Sequence, residues 1–264
     1  MPSPCSIAQE GVRRIMTLQE LKEAIQYEDE DLIVLHKKPG IAVQTKQTGK
    51  PDLVSLLKNY RAEKGETPYI APINRLDQPV EGLVLFAKNE KAAANLSGQL
   101  ARGEMEKWYL AVVKGQDLPK EGHLKDGIVK ETRTNLSRIV PAGTKEAKTA
   151  ELKFEKLKTE GDLALVRIQL LTGRHHQIRA QMAFHGWPLL GDRKYGARSE
   201  NETPSTSHHG ISSLRNSITH SPALCAYRLV FRHSSTGRRM QFEIRPKGEG
   251  FIEIPSFLFD DIAL

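Results

Sequence analysis

Apolar residues in this chain come in short runs closed by turn-formers, and that pattern constrains the fold most. Leu32-Ile33-Val34-Leu35 is stopped by Lys37-Lys38-Pro39-Gly40, and the run from Leu83 to Ala87 is approached through Pro79 and Gly82. Such runs are buried strands. Residues 108–113 make another. Further along, Val166, Ile168 and Leu170 alternate with Arg167 and Gln169, after a turn at residues 159–162 and an apolar set of Leu152, Phe154 and Leu157. This predicts an antiparallel hairpin with one wet face. A second hairpin is predicted over residues 226–231 and 240–244, around Ser234-Ser235-Thr236-Gly237, with Met240, Phe242 and Ile244 on one side. Helices are fewer. Thr17-Leu18-Gln19-Glu20 is a capping box that opens a short helix through Ile25. Val54, Leu56 and Leu57 mark a second helix, and Asn89 caps a third with Ala93, Leu96 and Leu100 inward. Residues 62–69 read as polar loop, and residues 199–221 as a mobile surface loop rich in Ser, Thr, Asn and His. The sum is an α+β fold with a large, mixed but mostly antiparallel sheet flanked by helices. Residues 1–30 form an N-terminal extension and residues 31–264 one domain.

Composition narrows the class. The chain has 264 residues, 39% of them hydrophobic and 27% charged, enough to bury a full core. No apolar run approaches the ~20 residues of a membrane span, and the N-terminus lacks a signal-peptide core. The two cysteines, Cys5 and Cys225, cannot make a disulfide framework, so a reducing, cytoplasmic setting is expected. A net charge of +7 favours a polyanionic partner, nucleic acid ahead of a membrane surface. The plainer alternative is a basic enzyme whose charge only aids solubility.

Two segments carry polar residues that a turn does not need. Arg75 and Asp77 stand just upstream of the 83–87 strand. Leu171-Thr172-Gly173-Arg174-His175-His176-Gln177-Ile178-Arg179 reads as a strand-to-helix turn and the helix after it. Ile178 and Met182 are four apart and face the core, which puts Arg179 near that border, able to reach inward. A helix N-terminus with arginines suits an anion, either a phosphate or a carboxylate of the chain itself. A solvated basic helix face is the simpler alternative. His175 and His176 do not read as a metal pair, because neighbours on a helix point about 100° apart. His208, His209 and His220 read as solvated loop residues. No phosphate loop, dinucleotide turn, HExxH or nucleophile elbow is present.

The ordered set Arg75-Leu76-Asp77 with Gly82-Leu83, Lys107 with Tyr109-Leu110-Ala111, Thr172-Gly173-Arg174 with His176-Gln177-Ile178-Arg179, and Gly191-Asp192 with Tyr195-Gly196 resembles the RluA-type family of RNA pseudouridine synthases. The resemblance runs from about residue 32 to about residue 245. It implies a pseudouridine synthase fold and an isomerase that acts on uridine in transfer or ribosomal RNA. It also implies that Asp77 is the essential aspartate, that Tyr109 stacks on the target base and that Arg179 pairs with the aspartate. Arg75, Arg174, His176 and Gln177 would face RNA. The reaction detaches uracil, rotates it and rejoins it through C5, so no cofactor or metal is implied. A monomer without an obligatory protein partner or membrane contact is expected. An aspartate of ordinary pKa, ~3.9, is ionised near neutrality and can attack the anomeric carbon or remove a sugar proton.

The chain departs from the family pattern at four places. Asn74 stands where His is usual, Val80-Glu81 where Thr-Ser is common, His175 where Thr is usual, and Cys225 where His is often found. The segment ahead of Asp31 is shorter than the small RNA-binding domain that many relatives carry in front. Two other functions compete: an RNA-binding or RNA-folding protein without catalysis, and a carboxylate glycosidase with Glu81 as its second acid.

Overall fold

The computed structural model describes residues 16–196 and 221–252, except residues 48, 116 and 142. An 11-stranded sheet forms its backbone. The strands are β1 (Ile25–Glu28), β2 (Leu32–Lys37), β3 (Ala71–Pro72), β4 (Glu81–Ala87), β5 (Glu106–Lys114), β6 (Glu121–Glu131), β7 (Leu136–Val140), β8 (Lys148–Glu160), β9 (Leu163–Leu170), β10 (Leu224–Arg232) and β11 (Arg239–Glu243). Their order is β1-β2-β4-β10-β5-β9-β8-β6-β7, with β3 on β4 and β11 on β10. All pairings are antiparallel except β4 with β10.

The unbroken apolar runs have a physical reason: the central sheet is covered on both faces. Ile33 and Leu35 of β2 and Val84 and Phe86 of β4 join one core, with Leu21, Leu53, Leu57, Ile178 and Met182 from helices. Leu32, Val34, Leu83 and Leu85 point the other way, onto Ala92 and Leu96. The helices on the first face are α1 (Leu18–Ala24), α2 (Leu53–Glu63) and α4 (Gln177–Phe184); α3 (Glu90–Ala101) covers the second. The capping box at Thr17 and the Asn89 cap are both made.

Several boundaries differ from the sequence expectation. α2 is longer than its apolar residues suggest: Asp52 accepts the Ser55 amide at 2.7 Å and caps its start, and the helix runs on to Glu63, into the expected 62–69 loop. The hairpin β6–β7 has no counterpart in the sequence reading. Only Leu124, Ile128, Ile139 and Val140 are its buried apolar side chains, and the charges of an edge hairpin hide the alternation. β1, within the expected extension, pairs with β2 at the sheet's edge. Except for Ser221, the expected 199–221 loop lies outside the described residues, as do His208, His209 and His220.

Candidate active site

Asp77 sits in the turn between β3 and β4, and the turn is held from several sides. Asn74 bridges it to β4: its Nδ2 donates to the Leu83 carbonyl at 3.1 Å and its Oδ1 accepts the Leu85 amide at 2.8 Å. Lys37, at the end of β2, is fully buried, and its ammonium donates to the carbonyls of Lys38, Gln78 and Val80 at 2.7–3.0 Å. Burial pushes the Lys37 pKa down to about 7, opposed by Asp77 and Glu81. Gly82 follows with φ of 141°, and a Cβ there would stand 2.5 Å from the Ala226 backbone nitrogen. That close approach is what lets β4 and β10 pair in parallel at this point.

Arg179 meets Asp77 across 102 residues of sequence, with Nη1 donating to Asp77 Oδ2 at 3.1 Å. Its stronger partner is Asp192. Nε and Nη2 donate to the two Asp192 oxygens at 2.7 and 2.8 Å, a bidentate pair with a carboxylate that is 0% exposed. Burial alone would lower the Arg179 pKa, but Asp192 and then Asp77 outweigh it and hold it above the usual range. Burial likewise opposes ionisation of Asp192, yet Arg179 and the amides of Lys194 and Tyr195 hold its pKa below normal. Asp192 is therefore the anchor of the arginine; the sequence offered Gly191-Asp192 only as a family motif.

The turn before α4 supplies the remaining side chains. His176 is buried, with a left-handed backbone (φ 52°, ψ 24°). Its Nε2 stands 3.5 Å from Asp77 Oδ2, and its Nδ1 lies 2.9 Å from the Tyr195 hydroxyl. Burial lowers its pKa to about 4 despite Asp77. His175 and His176 precede the helix rather than lie on it, and their rings stack at 3.8 Å. That corrects the helical geometry expected for the pair. Among the described residues no group of side chains is arranged to hold a metal ion.

Gln177, expected to face RNA, is buried and engaged within the protein. Its Oε1 accepts Thr172 Oγ1 and the Arg174 amide, and its Nε2 donates to the Glu151 carbonyl and Gln181 Oε1. It shapes the turn. Arg75 and Arg174 are exposed on the cleft, and Arg174 Nε donates to the Thr149 carbonyl at 2.8 Å. Tyr109, on β5, is buried along the cleft floor, and burial with Asp77 nearby raises its pKa. Lys107 is buried on the same strand, its pKa lowered by burial and Arg174.

Asp77, His176, Arg179, Tyr109, Arg75 and Arg174 line one cleft of about 1080 Å³, whose wall also carries Lys107, Lys130, Lys148 and Lys194. Residues 31–184 match the family described as RNA pseudouridylate synthase. The chain belongs to the RluA-type family of RNA pseudouridine synthases. It is 31% identical to the ribosomal large subunit pseudouridine synthase C of Escherichia coli (strain K12), over 87% of this chain and 68% of that protein. It is also 31% identical to the uncharacterized RNA pseudouridine synthase YhcT of Bacillus subtilis (strain 168), over 74% of this chain and 68% of the other. Among solved structures, human RNA pseudouridylate synthase domain containing 4 shares the fold, with a TM-score of 0.70 at 20% identity, covering 87% of this chain and 91% of its own. The pseudouridine synthase thus brings Asp77, Tyr109 and Arg179 of its family motifs to a single basic cleft, with Asp192 buried behind Arg179.

The departures from the family pattern are accommodated locally. Asn74 bonds β4, as above. Cys225 is fully buried opposite Glu81 in the β4–β10 pair. Glu81 is 3% exposed, accepts the Lys247 and Gly248 amides at 3.0 and 2.7 Å, and lies 2.8 Å from His36 Nε2. It does not line the cleft. A glycosidase would need a second carboxylate across a cleft, and Glu81 does not provide it.

Proposed function

We propose that Asp77 carries the isomerisation and that the substrate is a uridine in ribosomal RNA. One observation supports the first part above all: Arg179 and His176 both address Asp77 Oδ2, while Oδ1 has no hydrogen-bond partner among the described residues. Attack on the anomeric carbon and removal of a sugar proton both require an ionised carboxylate with one oxygen open to the cleft. Arg179 fixes the direction of that carboxylate. A uridine in a stem must leave its stack to reach Asp77, and Tyr109 offers a ring against which the flipped base can rest. Arg75 and Arg174, on the exposed wall, are placed for phosphates. Gln177 serves by holding the turn.

The ribosomal substrate rests on the names of the relatives, several of which are ribosomal large subunit pseudouridine synthases. It fits a protein at work in the cytoplasm. We read the catalytic domain from residue 31, where the family match begins, with the described part of the extension, α1 and β1, folded onto the sheet's edge. Pseudouridine mapping of total RNA from cells with and without the protein tests the substrate. Loss of a ribosomal pseudouridine is expected; loss confined to transfer RNA would contradict it.

A further inference from the structure

Tyr195 ties the turn before α4 to β7. The Ser137 backbone N–H donates to the Tyr195 hydroxyl oxygen at 2.6 Å. With that amide on its oxygen, the hydroxyl can give its own proton to His176 Nδ1, 2.9 Å away. An imidazole nitrogen that accepts carries no proton, so a neutral ring bonded this way carries it on Nε2. Nε2 is the atom that faces Asp77. We infer that His176 is a positioning residue for Asp77: fixed by Tyr195 as the Nε2–H tautomer, it turns that N–H toward Oδ2 beside Arg179 and leaves Oδ1 to the ribose. This rests on the reading that Asp77 acts on the sugar.

Other features support the assignment. The ring is held by a stack on His175 at 3.8 Å and an edge contact with Tyr195 at 5.5 Å between centroids. Ser137 Oγ donates to the His175 carbonyl at 2.6 Å, which fixes the preceding residue as well. The left-handed backbone at His176 is uncommon for a residue other than glycine, and it is what swings the ring inward from the turn. The titratable and charged groups facing the ring are Asp77, Arg179, His175, Lys194 and Tyr195. Burial is the largest influence and keeps the ring neutral above a pKa of about 4. At 3.5 Å the N–H is just beyond a made hydrogen bond, a distance common before substrate binds and tightens the site.

The test compares His176→Gln with His176→Met, side chains of similar length at the same left-handed position. Glutamine restores an N–H at the place of Nε2; methionine does not. In the presence of RNA, His176→Met should lose about tenfold or more in kcat with KM changed by no more than about twofold, as expected for a bond to a charged group made in the transition state. His176→Gln should recover most of that loss. Nitrogen-15 NMR of labelled histidine reads the tautomer directly, without any turnover. At pH 7 the parent should show His176 neutral and protonated at Nε2, and Tyr195→Phe should shift the population toward Nδ1–H. Parental kcat in His176→Met, equal losses in the Met and Gln variants, or an Nδ1–H or charged ring in the parent would overturn the inference. A parent that forms no pseudouridine in any RNA would instead overturn the functional reading, and the NMR result would still decide the tautomer.

Discussion

Arg179 donates to two carboxylates, and the contacts are unequal: two bonds to fully buried Asp192, one to Asp77 at 3.1 Å. Arg179→Ala would leave Asp192 charged, buried and without its cation. Breaking one side of such a pair costs about 3–5 kcal/mol, far more than a surface substitution. Urea unfolding of Arg179→Ala should show a loss of this size together with lost turnover. A loss under about 1 kcal/mol would mean that the pair is not the anchor described. At this scale the sequence was legible where geometry and motif agreed. The position of Arg179 beside Ile178 and Met182 gave its inward direction. Asp192 was not legible as the anchor, because a loop aspartate has no periodicity that says which way it faces. Lys37 was hidden for a related reason: beside Lys38, nothing in the pattern tells which lysine is buried.

Between elements, Glu81 joins β4 to the segment after β11. Its carboxylate takes the amides of Lys247 and Gly248, and β4 continues directly from the Asp77 turn. Glu81→Leu leaves those amides without an acceptor, at a cost of about 1–3 kcal/mol for the buried Gly248 amide. Hydrogen exchange at Lys247 and Gly248 should quicken in the variant, while amides in the β5–β9 pair keep their protection. Unchanged exchange at both positions would show that Glu81 does not hold the segment. The hairpins β8–β9 and β10–β11 were readable because the alternation and the turn lie side by side in the sequence. The β4–β10 pair was not, since a parallel contact between distant segments leaves no local signature. β6–β7 escaped because its charged outer face outweighs its few buried side chains.

For the whole molecule, the net charge of +7 has a location. Arg75, Lys107, Lys130, Lys148, Arg174 and Lys194 line the cleft that contains Asp77. RNA affinity should therefore fall steeply with salt. Lys130→Ala with Lys148→Ala should weaken binding to all RNAs alike and reduce the log–log salt slope by about 1–2. An unchanged slope would place the RNA elsewhere. Charge alone favoured a polyanion without deciding against mere solubility; the folded arrangement of these side chains strengthens the first. In the proposed reaction this cleft brings a uridine to Asp77. Asp77→Asn keeps nearly the same shape and removes the charge and nucleophilicity. Tritium release from C5-labelled uridine in RNA, measured with the parent and this variant, decides whether Asp77 does the chemistry. The parent should release tritium, while Asp77→Asn should bind the same RNA about as well and release none; release by Asp77→Asn at a near-parental rate would mean that Asp77 does not carry the reaction.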